Sequence, residues 1–544
     1  MITTSPKVLN FFQDTNKKIN NFRKSIIIFI FSVIFVIGII SVKDYGTTND
    51  EYNQRLAGFI TLNYLGEKLA PKLLEKYKSD KIYPKFENVP DNLRYYGGTI
   101  IHTPMALMEI IFNIKDKKNV FVFKHYILFI IFFLGLIAFF NICKNRFLDW
   151  KYGIFGVLLL FISPRIFSNS FYNNLDIPFM AFLIISLNYG LNVLREQNIK
   201  NIIVFSFLSA VCIDIRIMGA IIPFAITLIL FVNNFVVKKN YKKNFLSIFS
   251  IIFLTLLFVI LTWPMLWENP FINLIKVFNN LANHPIKGNN FYLGEMVPYS
   301  KLPWDYVPVW IFVTTPLLYS FSFLIGIFKF GKDIYDKKNF DVFFQDLVFL
   351  LIILLPMLAI FFFGSNLYNG WRHMFFIYPC FIIFALIGIN FIFKNIKNIK
   401  LYYLIQLIVV FSLLNTSYWM MKNHPHQYVY FNKYFSSNAD KNFELDFIGA
   451  SYNQNLKYLI KNEKKDKYYI YNSSETELWY PLFSLTDEDR LKFIETSKEN
   501  AEYWITNYHF DKNTYDDDFF RKYEILNEII IDGNKINSLL KLKK

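Results

Sequence analysis

The sequence predicts an α-helical polytopic membrane protein with about eleven transmembrane helices, external loops and a small C-terminal α/β domain. Three observations carry this prediction. Hydrophobic residues make up 54% of the 544 positions, with 63 Phe, far more than a soluble core needs. They fall in long blocks, each the length of a bilayer crossing. Lys and Arg collect largely in short clusters between those blocks, the pattern of topology signals.

The first span is the uncharged run 25–42. Lys17, Lys18, Arg23 and Lys24 precede it and place the N-terminus on the cytoplasmic side. No small-residue cleavage site follows, so the run is expected to stay as an anchor. A long external loop, 43–121, comes next. In it, 53–74 has helical apolar spacing (Leu56, Phe59, Ile60), and 99–114 carries His102 and Pro104. Both are expected to lie at the membrane surface, with a short span as the alternative for the second. Spans then follow near 121–143, 152–167, 177–194, 201–215, 217–237, 245–267, 306–328, 347–363, 374–393 and 401–421. Asp214 and Arg216 interrupt 201–237, which fits either two short spans or one broken one. With an odd number of spans, the short basic clusters at 144–151, 195–200, 238–243, 329–338 and 394–400 share the N-terminal side. The tail then falls outside. The expected division is 1–421 in the membrane, with a second large external loop at 268–305, and 422–544 as the external domain. Strand-like pieces at 467–471, 503–506 and 528–531 alternate there with helical ones.

A net charge of +16 could suggest nucleic acid, but its distribution as topology signals argues for no nucleic-acid partner. Cys143, Cys212 and Cys380 have neither metal spacing nor a disulfide framework.

The polar residues that stand out gather on the external side. Asp50 and Glu51 follow the first span directly, and are either a solvated pair or a site for chemistry at the lipid surface. Asp176, in Asn173-Asn174-Leu175-Asp176-Ile177-Pro178, and Arg216 are charges at membrane depth that need partners or a purpose. They fit a helix-locking ion pair or a grip on a lipid phosphate. Asn369-Gly370-Trp371-Arg372-His373 places an Arg at a span's outer end. There it either snorkels to headgroups or binds phosphate through two donors. The loop 268–305 holds His284, Tyr292, Glu295 and Trp304 among Gly, Pro and aromatics, suited to a fixed binding wall. His102, His284 and Glu295 are the candidates for a divalent metal ion, although no spacing demands one.

Together these strings resemble the GT-C superfamily of polyprenyl-phosphate-sugar glycosyltransferases, which includes protein O-mannosyltransferases and bacterial aminoarabinose transferases. The resemblance runs from about 25 to 460. It rests on the external Asp50-Glu51 pair, the Asn-Asn-Leu-Asp-Ile-Pro string, Arg216, the strings from His284 to Pro316, and Arg372-His373 before Tyr378-Pro379. It continues through His424-Pro425-His426-Gln427-Tyr428-Val429-Tyr430-Phe431-Asn432 to Phe443-Glu444-Leu445-Asp446-Phe447. One departure is Ile101-His102-Thr103-Pro104, where relatives often carry Lys-Pro-Pro.

The resemblance implies a GT-C arrangement in the bacterial inner membrane, with the site on the periplasmic face. The implied donor is a polyprenyl-phosphate-linked sugar, and the acceptor a hydroxyl of a protein, lipid or glycan among the membrane lipids. Asp50 would be the general base of an inverting transfer, with Asp176 next in line and Glu51 orienting a neighbour. Arg372 and Arg216, with His373, would face the donor phosphate. The rival reading is a transporter or flippase of lipid-linked material using Asp50, Asp176 and Arg216 as a relay. Such proteins tend to show repeats and midplane polar groups, and this chain shows neither.

Overall fold

The computed structural model describes residues 6–78, 97–236, 241–282, 288–336, 340–364, 366–509 and 521–543. Its helices are α1 (Pro6–Ser41), α2 (Asn49–Leu69), α3 (Pro71–Lys78), α4 (Thr99–Ile111), α5 (Lys117–Phe147), α6 (Trp150–Phe161), α7 (Pro164–Tyr172), α8 (Asp176–Arg195) and α9 (Ile199–Ile215). After these come α10 (Ile221–Val236), α11 (Tyr241–Thr262), α12 (Pro270–Ala282), α13 (Tyr306–Thr314), α14 (Leu317–Tyr335), α15 (Phe340–Phe363), α16 (Tyr378–Asn395) and α17 (Ile399–Lys422).

All eleven predicted runs are largely helical. Among the described residues, however, seven helices are long and apolar enough to cross a membrane, or eight if the α6–α7 pair is one span. The difference has local causes. Pro164 opens α7 after a 72° bend from α6. α9 stops at Ile215 after 17 residues, where Asp214 and Arg216 turn to other partners. Pro316 separates α13 from α14; it has no N–H to offer the carbonyl four residues back. That carbonyl, of Phe312, accepts instead from the Asn432 side chain at 2.8 Å, and the Asn432 backbone N–H bonds Val313 O at 2.8 Å. The break is therefore closed from the start of the tail, as an apolar medium requires of every backbone group.

The first loop is helical where apolar spacing predicted it. α4 begins on Asp214, whose carboxylate accepts from the Ile100 N–H at 3.0 Å and the Thr99 hydroxyl at 3.0 Å. α14 and α16 cross so closely at Gly326 and Gly388 that a Cβ on either would strike the opposing backbone; small residues permit such contact.

The tail carries a five-stranded sheet in the order β4-β3-β5-β7-β6, after a separate hairpin of β1 (Asn289–Tyr292) and β2 (Glu295–Pro298) in the 268–305 loop. The sheet strands are β3 (Tyr468–Asn472), β4 (Phe493–Glu495), β5 (Tyr503–Thr506), β6 (Tyr523–Ile531) and β7 (Asn534–Leu542). β3 runs parallel to β4 and β5, while β7 is antiparallel to β5 and β6. The helix Tyr452–Asn462 lays Tyr452, Leu456 and Leu459, one helical face, on Tyr468, Ile470, Tyr503 and Leu539. The three predicted strands are present; β4 and β7 were not foreseen.

Candidate functional site

Asp50 is set by what comes before and after it. Tyr45 stacks on Phe171 with centroids 4.5 Å apart, and its hydroxyl donates to Gln427 at 2.7 Å. His424 reaches Asp44 at 2.9 Å. These two bonds from the His424–Gln427 stretch hold the approach to α2. There Glu51 accepts from the Thr48 N–H at 2.7 Å and its hydroxyl at 3.2 Å, half of a capping box. Its other oxygen meets His125 at 2.8 Å. With Glu51 turned inward, Asp50 faces the other way, in the first turn of α2, where the helix dipole favours a negative charge. Its side chain is 40% exposed and is bonded to the guanidinium of Arg372, a side chain 7% exposed.

Arg372 is positioned by a clamped turn. Asn369 and Gly370 both adopt left-handed φ, 59° and 68°, which Asn and Gly tolerate best. The Gly370 N–H donates to Glu444 at 2.9 Å, the Tyr306 hydroxyl to Gly370 O at 3.2 Å, and the Trp371 indole to the Thr314 hydroxyl at 2.9 Å. Asn290 of β1 donates to Leu367 O at 2.9 Å. The loop hairpin, α13 and the tail thus converge on one arginine.

Asp176 opens α8. Asn173 binds both its carboxylate, at 3.0 Å, and its backbone N–H, at 2.9 Å, and the free oxygen takes the Arg216 guanidinium. The two ion pairs lie around Tyr368, whose ring is 5.2 Å from the Arg372 guanidinium carbon. Burial raises the Tyr368 pKa; after it, Arg372 lowers it and Asp50 raises it, followed by Arg216, which lowers it, and Asp176, which raises it. The Nε atoms of Arg372 and Arg216 are buried without a hydrogen-bond partner. This spare donor capacity suits an anion with several oxygens.

His373 packs edge-on against Tyr368 at 4.6 Å. The other expected residues separate. Tyr292 is buried against Tyr306, at 5.0 Å, and Phe443, as support for the wall. Glu295 and Trp304 are exposed, and among the described residues neither forms a hydrogen bond or ion pair with the four charges. His102 is buried in α4, with its ring against Gly98 and its carbonyl against Gly58. His284 lies outside the described residues. No three His, Cys, Asp or Glu among the described residues are grouped to hold a metal.

Sequence reasoning missed a second polar cluster. Arg55 of α2 binds Glu109 of α4, with Nε at 2.9 and 3.1 Å from the two oxygens, and Glu51 binds His125. All four side chains are at most 1% exposed. The signal was present in Glu109 and His125, which interrupt apolar helical runs. Tyr368 and Glu444 were also missed as parts of the site, although both lie in or beside strings already singled out.

Residues 102–263 match the family model described as dolichyl-phosphate-mannose-protein mannosyltransferase. No curated protein matches. Among solved structures, the archaeal oligosaccharyltransferase AglB from Archaeoglobus fulgidus, in complex with an inhibitory peptide and a dolichol-phosphate, is similar. It matches at 10% identity and a TM-score of 0.46, over 88% of this chain and 69% of that one. Over residues 102–263, which include Asp176, Asp214 and Arg216, this integral membrane chain is similar to GT-C mannosyltransferases, the superfamily its motifs resemble.

Proposed function

We propose that this protein moves a sugar from a polyprenyl phosphate to an acceptor hydroxyl, on the periplasmic face of a bacterial inner membrane, with inversion and with Asp50 as general base. The observation that carries the proposal is the four-charge cluster. It holds a carboxylate that is open enough to meet an acceptor and two guanidiniums with unused donors.

In the absence of donor, Arg372 and Asp50 satisfy each other. A donor phosphate competes for Arg372 and Arg216 and leaves Asp50 free to accept a proton. The acceptor oxygen then attacks the anomeric carbon from the face opposite the phosphate, while its proton passes to Asp50. The bond from the anomeric carbon to the phosphate oxygen breaks, and the electron pair leaves with the phosphate. Basic groups already in position stabilise that charge as it develops, and the positioned base contributes roughly 10²–10⁴-fold. Asp176 holds Arg216 in place, and Glu51 holds the start of α2.

The test is transfer from a short-chain polyprenyl-phosphate sugar by the purified full-length protein. Asp50→Asn should remain folded and bind donor while turnover collapses. Near-normal turnover would remove Asp50 as base. Loss of lipid transport with no effect on any transfer reaction would favour the relay. The facing of the site is tested separately: Asn49→Cys in intact spheroplasts should react with an impermeant thiol reagent.

A further inference from the structure

The tail reaches the site itself, through a segment that no role has yet absorbed. Between Glu475 and Trp479 exposure alternates: Glu475, Glu477 and Trp479 face out, while Thr476 and Leu478 face in. The segment is held firmly. Asn472 donates to Thr476 O at 2.7 Å, Asn507 donates to the Thr476 hydroxyl at 3.0 Å, and Ser474 bonds Thr506 at 3.0 Å. The Thr47 hydroxyl donates to Tyr480 O at 2.7 Å, which ties the segment to the loop three residues before Asp50. Tyr52, two residues after Asp50, packs edge-on against Trp479 at 5.0 Å, and Trp479 stacks on Tyr480 at 3.8 Å. The Trp479 indole N–H donates to Glu477, which fixes the plane of the ring. Through Thr47 and Tyr52 the segment therefore borders Asp50 on both sides in sequence, and burial, with Glu477 and then Asp50 adding to it, raises the Tyr480 pKa.

We infer that Glu475, Glu477, Trp479 and Tyr480, with Tyr52, form a binding lip for a pyranose ring beside Asp50. The inference rests on the transferase reading above and deepens it. Carboxylates accept hydrogen bonds from hydroxyls, and aromatic faces offer apolar area beside polar groups, the usual make-up of a site for a polar small molecule. Two carboxylates repel a phosphate, so the anionic end of a donor stays with Arg372 while a neutral ring suits the lip. The same chemistry serves the sugar of the donor or a sugar of an acceptor glycan.

The experiment uses the full-length protein in nanodiscs, with saturation-transfer NMR on a panel of methyl pyranosides. At least one member should contact the wild type. Its signal should fall about tenfold in Trp479→Ala and less in Glu477→Gln, should survive in Trp479→Phe, and should persist in Arg372→Ala. Two lipids then separate the sources: citronellyl phosphate, and its conjugate with the sugar that gives the strongest signal. If Trp479→Ala weakens only the conjugate, the ring is the donor's; if it weakens neither, the ring is an acceptor's. The lip is overturned if no pyranoside contacts the wild type, if Trp479→Ala leaves every signal intact, or if a tetralysine peptide binds there and the pyranosides do not. The transferase reading fails on a different result: Arg372→Ala and Arg216→Ala both binding the two lipids as tightly as the wild type.

Discussion

Asp50 lies 40% exposed against Arg372, while Glu51, the next residue, is enclosed between Thr48 and His125. The comparison extends to their clusters. Around Asp50, two arginines hold two carboxylates yet keep buried, unused donors. Around Glu51, the Arg55–Glu109 pair is fully enclosed and bonded through both oxygens. Charge in an apolar setting is costly in both places. Where every oxygen is matched and water is excluded, the charge fixes one helix against another. Where one side is open and donors are spare, it can exchange partners with a ligand. On the transferase reading proposed above, adjacent residues of the same chemical type divide into work on substrate and work on structure.

The largest expected effect falls on the open side. Asp50→Asn should lower turnover by about 10²–10⁴-fold while thermal unfolding stays close to wild type. Glu51→Gln should do the reverse, with a lower unfolding temperature and a smaller change in turnover per folded molecule. Equal losses in both assays for both variants would erase the distinction.

The closed side breaks through stability. Glu109→Gln leaves Arg55 buried without its counter-charge, and removing one partner of a buried pair costs about 3–5 kcal/mol. Denaturation of the detergent-solubilised variant should show that loss, with donor affinity unchanged in the molecules that remain folded. A variant as stable as wild type would mean that the α2–α4 contact does not depend on this pair.

Arg372→Ala should weaken donor binding by about 1.5–3 kcal/mol, the worth of hydrogen bonds to a charged group, measured by titration with citronellyl phosphate. Arg216→Ala should cost less, because its side chain is 24% exposed against 7% for Arg372 and solvent screens it more. The opposite ranking would place the phosphate nearer α8 than α16.

How much of this was legible in the sequence follows from how local each cause is. Apolar blocks decide helices within themselves, so all eleven runs were found. Breaks at Pro164 and Pro316 are written in the chain too, but whether a break ends a span depends on partners far away, such as Asn432. Asp50, Asp176, Arg216 and Arg372 stood out because each interrupts or borders an apolar run. The Asp176–Arg216 pair was one of the two readings the sequence offered; the pairing of Asp50 with Arg372, 322 residues apart, was not legible. Glu444 and Tyr368 carry no signal of their own; they matter because a left-handed turn at Asn369-Gly370 brings them to the arginine.

A pH-dependent effect, slight near neutrality, tests the support that the tail lends to the open site. His426 is buried, with Nε2 2.8 Å from Gln454 and Nδ1 3.3 Å from the Tyr428 hydroxyl, and burial pushes its pKa down from 6.5 to about 4. The unfolded chain therefore takes up this proton first as pH falls. The stability held by neutral His426 is complete above about 6.5 and drains away as the pH drops through 6.5 towards 4, at no more than about 1.4 kcal/mol per pH unit. Unfolding measured at several pH values across that window should fall more steeply for wild type than for His426→Asn, which keeps a polar side chain but cannot titrate. Because the neighbouring His424 and Gln427 hold Asp44 and Tyr45, the acid-loosened wild type should also lose turnover before it loses helix. Parallel slopes for the two proteins would move the acid sensitivity elsewhere in the tail and leave the approach to Asp50 independent of it.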